Sequence, residues 1–402
     1  MARPNVLVLI LAGGKGSRLE VLTRERAKPA LPFAGTYRLI DFALSNCVHS
    51  HLSSVWIVEQ YELHSLNDHL ANGRPWDLDR TRGGLLVLPP FSNHEDDDDS
   101  QGGFAQGNAD AIYRHRKMLR EYSPDILIVL SADHIYKLDL RDVIEQHQQT
   151  NADVTLVTTR VDAQEASRFG LVKVNRQGRV THFDYKPDNP QSDLATTEVF
   201  VYNARVLLDT LDEIAAKENL EDFGHQLLPR LVKGGKAFEF RFDGYWRDVG
   251  TVESYYQAHI DLLNEDPRLH LDDPQWPILS LAEQRVPARI YDGAQVENSL
   301  VAPGCRVRGH VVNSVLSAGV IVEENALIRD SIVLPCAHIQ KGAQIHRAIL
   351  DEYSNVGENA RIGTRSKSAA TSENITVIGR AVQVKANAKI KNGARLMSGD
   401  ES

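Results

Sequence analysis

Cysteine is scarce in this sequence of 402 residues, which contains only Cys47, Cys305 and Cys336. Their number is odd and their spacing is not that of a metal site, so neither a disulfide framework nor a zinc centre is predicted. We expect reduced, buried thiols of the kind found in cytoplasmic proteins.

Long apolar runs and an excess of positive charge are also absent. No apolar run approaches the roughly 20 residues of a membrane-spanning helix. The opening MARPNVLVLI lacks the full apolar segment and cleavage site of a signal peptide, and is expected to form a first strand. The formal net charge is −9 with no basic tail, which argues against nucleic acid or an anionic membrane as main partner.

The residues from Asn5 to Gly35 organise the first half of the chain. Val6 to Leu11 form a continuous apolar run, the pattern of a strand buried on both faces of a parallel sheet. Gly13-Gly14-Lys15-Gly16 follows directly, and Arg18 and Lys28 add positive charge. Glycines let backbone amides approach an anion closely, so a phosphate-binding turn is predicted. An ordinary strand-to-helix turn is the alternative.

Strands and helices alternate through the first 260 residues or so. Strands are predicted at Val55–Val58, Ile126–Leu130, Val154–Thr158 and Ala237–Phe242, with a helix at Glu62–Leu70. This alternation indicates a doubly wound α/β domain.

A polar, acidic and glycine-rich stretch lies between Leu88 and Gln106. Its composition predicts a mobile surface loop. The run of aspartates from Asp96 to Asp99 is interpreted as solvated charge rather than a metal site.

The sequence pattern changes after residues 264–288. This stretch contains prolines, has little periodicity and is predicted to be a linker. Beyond it, aliphatic residues recur every six positions, as at Val333, Ile339 and Ile345. A hexapeptide repeat predicts a parallel β-helix of triangular cross-section, with about four coils between 290 and 365. The predicted domains are therefore 1–263 and 289–402.

Two aspartates follow predicted strands or lie near them. Asp133 comes after the apolar strand ending IVLSAD, and the carboxyl end of such a strand is where α/β sheets bind ligands. Asp248 lies in YWRDVGT. Each aspartate is either a functional carboxylate or a helix N-cap.

The run LTRERAKPALPFAGTYRLIDFALSNCVHS resembles the ADP-glucose pyrophosphorylase branch of the sugar-nucleotide pyrophosphorylases. The resemblance implies a Rossmann-like nucleotidyltransferase domain with a mixed, mainly parallel sheet, followed by a left-handed parallel β-helix. It implies adenylyl transfer from ATP to glucose 1-phosphate with Mg²⁺, for synthesis of glycogen or a related α-glucan. A cytoplasmic homotetramer and an anionic allosteric effector are also implied.

The resemblance also implies roles for individual residues. It implies catalytic roles for Arg18, Lys28 and Asp133, and Mg²⁺ binding by Asp133 and Asp248. Nucleotide binding falls on Leu11, Ala12, Gly13, Gly14, Lys15, Gln106, Gly107 and Asp110. Sugar-phosphate binding falls on Gly170, Tyr185, Lys186, Thr196 and Glu198.

The sequence departs from the family at three positions. Tyr185 stands where the family has glutamate, and Glu198 where it has glycine. Either Glu198 replaces the missing carboxylate, or the pocket takes another sugar 1-phosphate. Glu25 stands where some members carry an effector-binding lysine.

An anion site remains conceivable from other basic residues: Arg24, Arg26, Arg380, Lys385 and Lys389. Two further alternatives stay open at this point. One is a non-catalytic regulatory subunit. The other is a hexapeptide acyltransferase with His310, His338 or His346 as base, although surface histidines are the favoured interpretation.

Overall fold

The computed structural model describes residues 4–90, 105–365, 368–397 and 400. The predicted acidic loop, with Asp96–Asp99, lies largely outside the described residues. The chain divides into two compact units, each discontinuous in sequence. The first unit comprises Met1–Gly14 and Phe42–Trp246, and the second comprises Lys15–Asp41 and Arg247–Ser402.

Among the residues that the structure describes, thirteen strands precede the β-helix. They are β1 (Val6–Ala12), β2 (Pro32–Phe33), β3 (Tyr37–Arg38), β4 (Ser54–Glu59), β5 (Gly84–Leu88), β6 (Ile126–Ser131), β7 (His134–Tyr136), β8 (Val154–Arg160), β9 (Gly170–Val174), β10 (Val180–Tyr185), β11 (Leu194–Asn203), β12 (Ala237–Arg241) and β13 (Trp246–Asp248).

The α-helices are α1 (Ile40–His49), α2 (Leu63–Leu70), α3 (Asn108–Arg114), α4 (Arg116–Tyr122), α5 (Leu140–Gln149), α6 (Ala204–Ala215), α7 (Leu228–Gly234) and α8 (Val252–Ile260). Within the described ranges, no helix combines the length and the apolar content needed to cross a membrane.

Nine strands of the first unit form one mixed sheet. Strands β6, β1, β4 and β5 lie side by side and are parallel, whereas β11 runs antiparallel to β6 and to β8. Strand β12 pairs in parallel with β8 at one side, and β9 and β10 branch from β11. The predicted mixed α/β sheet is confirmed.

Strand β1 is the centre of that sheet. Leu7, Val8, Leu9 and Ile10 have no exposed surface, because both faces of a central parallel strand are covered by other elements. The predicted strands and the predicted helix are all present, with ends displaced by one or two residues.

The second unit contains the β-helix. Its strands run from β14 (Arg289–Ile290) to β31 (Arg395–Leu396) and build three parallel sheets of six strands each. Val333, Ile339 and Ile345 of the repeat are fully buried along the axis. The predicted β-helix is therefore confirmed, and it continues past 365 to Leu396.

Residues 15–41 belong to this second unit. The Tyr255 hydroxyl on α8 donates a hydrogen bond to the Pro32 carbonyl, at 2.5 Å. The Phe33 ring lies 4.6 Å from the His259 ring, and the Ala318 amide donates to the Gly35 carbonyl at 3.1 Å. Long-range packing therefore fixes a segment that has little regular secondary structure of its own.

The three cysteines are free thiols; Cys47 and Cys305 are buried and Cys336 is half-buried. Burial raises the pKa of Cys47 to about 12 and that of Cys305 to about 11. Such thiols are unreactive near neutral pH. The predicted burial is confirmed for Cys47 and Cys305 but not for Cys336.

Candidate active site

The first unit brings Gly13 and Gly14 of the predicted glycine turn to the same edge of the sheet as Asp133. Strands β1 and β6 are parallel, with Leu11 paired to Ser131. Their carboxyl ends therefore lie together, and the residues that follow, Gly13 and Asp133, leave the sheet at the same edge.

The Asp133 carboxylate is oriented by neighbours on both sides. The Ser131 hydroxyl donates a hydrogen bond to Oδ1 of Asp133, and Nε2 of His134 lies 3.7 Å from the same oxygen. Strand β7 begins at His134, so Asp133 does not cap a helix. This excludes the N-cap interpretation, and a functional role for the Asp133 carboxylate stays a prediction.

The turn after β1 leaves room for a ligand at Gly14. A Cβ atom at Gly14 would have no heavy atom within 4 Å, whereas one at Gly13 would lie 3.0 Å from Cδ of Gln60. Gln60 follows Glu59, which pairs with Ala12 in the β1–β4 register. The Gln60 side chain therefore packs against the predicted nucleotide turn.

Sequence reasoning missed Glu59 and Gln60. Glu59 is 1% exposed, and burial raises the pKa of its carboxyl group to about 7. Oε2 accepts a hydrogen bond from Nδ2 of Asn67 at 2.9 Å, while Oε1 has no partner among the described residues. A glutamate that ends an otherwise apolar strand was the available signal.

The predicted nucleotide-binding residues Gln106, Gly107 and Asp110 form a segment that is held by the Asp110 carboxylate. Oδ2 of Asp110 accepts from the Gln106 amide and from Nε of Arg114, both at 2.9 Å. A Cβ atom at Gly107 would lie 2.2 Å from the Glu221 carbonyl oxygen. Only glycine allows this approach of two backbones, and Asp110 supports the turn rather than pointing freely outward.

The predicted sugar-phosphate residues of the first unit lie on three adjoining strands. Tyr185 pairs with Gly170 across β9 and β10, and the Thr196 hydroxyl on β11 donates to the Gly170 carbonyl at 3.2 Å. Nζ of Lys186 donates to the Tyr185 hydroxyl at 2.8 Å and lies 4.5 Å from the centre of its ring. The structure thus brings Gly170, Tyr185, Lys186 and Thr196 together.

Four of the predicted site residues lie in the second unit, which brings three of them together. Nζ of Lys28 lies 3.9 Å from Oδ1 of Asp248. A Cβ atom at Gly250 would lie 2.9 Å from Oδ2 of Asp248 and 3.2 Å from Nη2 of Arg18, so both side chains border Gly250. Lys15 is exposed and forms no ion pair with the described residues.

Asp248 is not a helix cap either. Helix α8 is capped by Thr251, whose side chain accepts from the Ser254 amide at 3.1 Å while the Ser254 hydroxyl accepts from the Thr251 amide. The cluster of Arg18, Lys28 and Asp248 therefore places two cations beside one carboxylate, an arrangement that suits a phosphate chain and a hard metal ion.

The comparisons with known proteins match both halves of the chain. The family model for nucleotidyl transferases matches residues 7–265, and the model for the GlmU-like C-terminal hexapeptide matches residues 286–384. A protein of Thermomicrobium roseum named glucose-1-phosphate adenylyltransferase is 43% identical over 98% of this chain and 91% of its own length. The chain belongs to the glucose-1-phosphate adenylyltransferase family.

Other similar proteins are also named glucose-1-phosphate adenylyltransferase. A protein of Desulfitobacterium hafniense is 38% identical, with 98% of each chain covered. One from Bacillus thuringiensis is 42% identical over 86% of this chain and 91% of its own. The similarity therefore extends through the β-helix as well as the sheet domain.

In this chain, the residue that meets Tyr185 is Asp222, which sequence reasoning missed. The Tyr185 hydroxyl donates to Oδ2 of Asp222 at 2.5 Å. A Cβ atom at Gly224 would lie 2.0 Å from the Tyr185 ring. The Asp-Phe-Gly sequence at 222–224 was the only local signal, and its meaning depends on a strand almost forty residues earlier.

The described contacts of Glu198 are with the His134 side of the sheet. Glu198 lies within β11, where the pairing with β8 shifts register, and has φ of 55°, a left-handed conformation that is uncommon for a residue with a side chain. Its Oε2 lies 3.9 Å from Nε2 of His134, whose Nδ1 donates to the Thr197 carbonyl at 3.0 Å. That Glu198 replaces a carboxylate at Tyr185 stays a prediction, while Asp222 already supplies one there.

The structure removes Arg26 from the predicted anion site. Its guanidinium is 4% exposed and makes two 2.5 Å hydrogen bonds to the Asp351 carboxylate. Arg380 also faces a carboxylate, with Nε 3.6 Å from Oε2 of Glu352. Arg26 is therefore not free for an external anion, whereas the Arg380 side chain remains 38% exposed.

The histidines considered for acyl transfer show no catalytic arrangement. Nδ1 of His310 lies 3.0 Å from Oε1 of Gln295, and Nε2 of His338 lies 3.2 Å from Oε1 of Glu323. Nδ1 of His346 is buried without a partner among the described residues. The first two are cross-coil contacts of the β-helix surface.

Proposed function

We propose that this chain transfers the adenylyl group of ATP to α-D-glucose 1-phosphate, giving ADP-glucose and pyrophosphate. The carrying observation is the match to curated glucose-1-phosphate adenylyltransferases over nearly the full length of both chains. The chain has the charged residues that the resemblance assigns to catalysis: Arg18, Lys28, Asp133 and Asp248. Their presence supports a catalytic rather than a purely regulatory member of the family.

In this reaction a phosphate oxygen of the sugar attacks the α-phosphorus of ATP, and pyrophosphate leaves. Protein residues mainly bind, orient and stabilise charge in such transfers. We infer that Arg18 and Lys28 contact the triphosphate, and that Lys186 contacts the sugar phosphate. The Lys186–Tyr185–Asp222 chain of hydrogen bonds orients the Lys186 ammonium.

Mg²⁺ is proposed as the metal. No group of three or more histidine, cysteine or acidic side chains suited to a metal occurs among the described residues. Mg²⁺ typically binds one or two carboxylates and takes its other ligands from phosphates and water. Asp133 in the first unit and Asp248 in the second supply carboxylates of this kind, and bound Mg²⁺ would neutralise phosphate charge.

We propose further that the enzyme is a cytoplasmic homotetramer that serves synthesis of glycogen or a related α-glucan. An anionic effector is also proposed, at a site that does not include Arg26. Light scattering of the purified protein tests the tetramer, and a panel of phosphorylated metabolites in the activity assay tests the effector.

Pyrophosphate release by the purified protein tests the proposed reaction. ATP, dTTP, UTP and GTP are each combined with glucose, glucosamine, mannose and galactose 1-phosphates in the presence of Mg²⁺. Selection of ATP with glucose 1-phosphate is expected. Preference for another sugar would retain the chemistry and change the substrate, and silence across the panel would contradict the proposed reaction.

The same assay decides the role of the unusual sugar-site residues. The double change Tyr185→Glu with Glu198→Gly is expected to alter the KM for glucose 1-phosphate more than that for ATP. Unchanged kinetics would remove both side chains from the sugar pocket. Lys173→Gln, an exposed position on β9, is the matched surface control.

A further inference from the structure

Two adjacent carboxylates in the β-helix are buried in the second unit. Asp351 and Glu352 lie at the corner after the strand Ala348–Leu350 and before the strand Asn355–Val356. Asp351 is 0% exposed and Glu352 is 6% exposed. Buried carboxylates are costly unless charged partners meet them, so the identity of those partners is informative.

The partners come mainly from the segment 15–41 of the same unit. Both oxygens of Asp351 accept from Nη2 of Arg26 at 2.5 Å. Oε1 of Glu352 accepts from Nη1 of Arg38 at 2.8 Å, and its Oε2 lies 3.4 Å from Nη1 of Arg26. The two carboxylates therefore join Arg26 to Arg38.

These two arginines flank Lys28. A short 3₁₀ turn covers Lys28–Ala30, and the Leu31 amide donates to the Lys28 carbonyl at 3.1 Å. Nη1 of Arg38 also donates to the Ala30 carbonyl at 3.1 Å, so it contacts the end of the turn directly. Arg26 lies two residues before Lys28. Both ends of the turn are thereby tied to the same corner of the β-helix.

Lys28 is itself constrained at its charged end. Its side chain is 9% exposed, and Nζ lies 3.9 Å from Oδ1 of Asp248. A side chain in this position has little freedom of its own, so a shift of the Lys28–Ala30 backbone moves the ammonium group directly. Misplacement by about 1 Å is enough to slow a positioned reaction by about a hundredfold.

We propose that Asp351 and Glu352 are positioning residues for Lys28, so that the β-helix contributes to adenylyl transfer through the Arg26 and Arg38 guanidinium groups. This inference rests on the proposed function, in which Lys28 contacts the triphosphate. Neither carboxylate touches substrate. Their role is to fix the turn that carries the catalytic lysine.

The alternative is that the carboxylates only stabilise the fold. Removing one partner of a buried ion pair is strongly destabilising, so loss of activity in an unfolded variant would show nothing. The informative change is Glu352→Gln, which keeps the size of the side chain and an oxygen that accepts from Arg38, while it removes the charge and puts an NH2 group where Oε2 faces Arg26. Asp351→Asn is the second variant.

The test measures kcat and the KM for each substrate on folded protein at a temperature well below unfolding. For Glu352→Gln we expect the KM for ATP to rise or kcat to fall by about tenfold or more, with the KM for glucose 1-phosphate changed less than about twofold. Glu352→Asp retains the charge with a shorter reach. It is expected to recover activity better than Glu352→Gln, although it disturbs packing more.

A control carboxylate lies elsewhere on the β-helix. Glu324 pairs with Lys341 at 3.4 Å on the surface, with side chains 62% and 60% exposed. Glu324→Gln should leave all kinetic constants unchanged. Lower thermal stability with wild-type kinetics in both Glu352→Gln and Asp351→Asn would overturn the inference. A wild-type protein that forms no ADP-glucose would instead overturn the proposed function.

Discussion

Two buried histidines predict a loss of stability in mild acid. His147 on α5 is 5% exposed and His259 on α8 is 0% exposed. Nδ1 of His147 hydrogen-bonds with the Thr155 hydroxyl, and Nδ1 of His259 donates to the Tyr255 carbonyl, both at 2.9 Å. Burial lowers the pKa of each from 6.5 to about 4.

The sign of the effect follows from the direction of these shifts. The unfolded chain binds a proton at each histidine near pH 6.5, whereas the folded chain does so only near pH 4. Stability is therefore fully present above pH 6.5 and is lost as the pH falls toward 4. The complete loss is about 3 kcal/mol per histidine, and about 2 kcal/mol of it has occurred at pH 5.

Urea unfolding at about pH 7.5 and pH 5 measures this loss. The change His259→Phe removes the titrating group and keeps a ring between Phe33 and Tyr255. It should remove about 2 kcal/mol of the difference between the two pH values, whatever it does to stability at pH 7.5. His64→Gln, whose side chain is 93% exposed in the wild type, should retain the full difference. An unchanged pH dependence in His259→Phe would refute the reasoning.

Two further predictions concern the site in the first unit. Asp133→Asn should lower turnover by about a thousandfold or more while the unfolding midpoint stays unchanged, and full activity would remove Asp133 from the chemistry. Gly107→Ala places a Cβ atom 2.2 Å from the Glu221 carbonyl oxygen, and should cost about 1–3 kcal/mol in unfolding experiments and raise the KM for ATP. Gly14→Ala, with no heavy atom within 4 Å of its Cβ, is the stability control; equal losses in both variants would contradict the steric argument.

Local patterns predicted the elements whose cause is local. The apolar run of β1 and the sixfold spacing around Val333, Ile339 and Ile345 each encode a strand period and a buried face. Those predictions are confirmed, with the β-helix extending to Leu396. Between 365 and 376 the polar residues break the sixfold spacing of the repeat, so that stretch of sequence does not itself indicate that the β-helix continues.

Features that depend on distant residues were not predictable in this way. A basic residue such as Arg26 looks like a surface cation in the sequence. Its partner Asp351 is 325 residues away in the chain, so no local pattern indicates that Arg26 is buried in an ion pair. The partnership of Tyr185 with Asp222 likewise joins a strand to a later loop. The candidate site residues were predicted from a resemblance at individual positions. The hydrogen bonds and ion pairs that surround those residues could be identified only from the three-dimensional structure.

The discontinuous units have a consequence for synthesis of the chain on the ribosome. The segment 15–41 buries Leu31 and Phe33 completely and needs Asp351 for its Arg26. Translation at about 5–20 residues per second needs roughly 15–65 s to cover the 325 residues between them. For that time the nascent chain carries an incomplete unit with apolar and charged groups unsatisfied. Chaperones that bind early apolar segments therefore have a defined interval in which to act, and it closes when the coil containing Asp351 emerges.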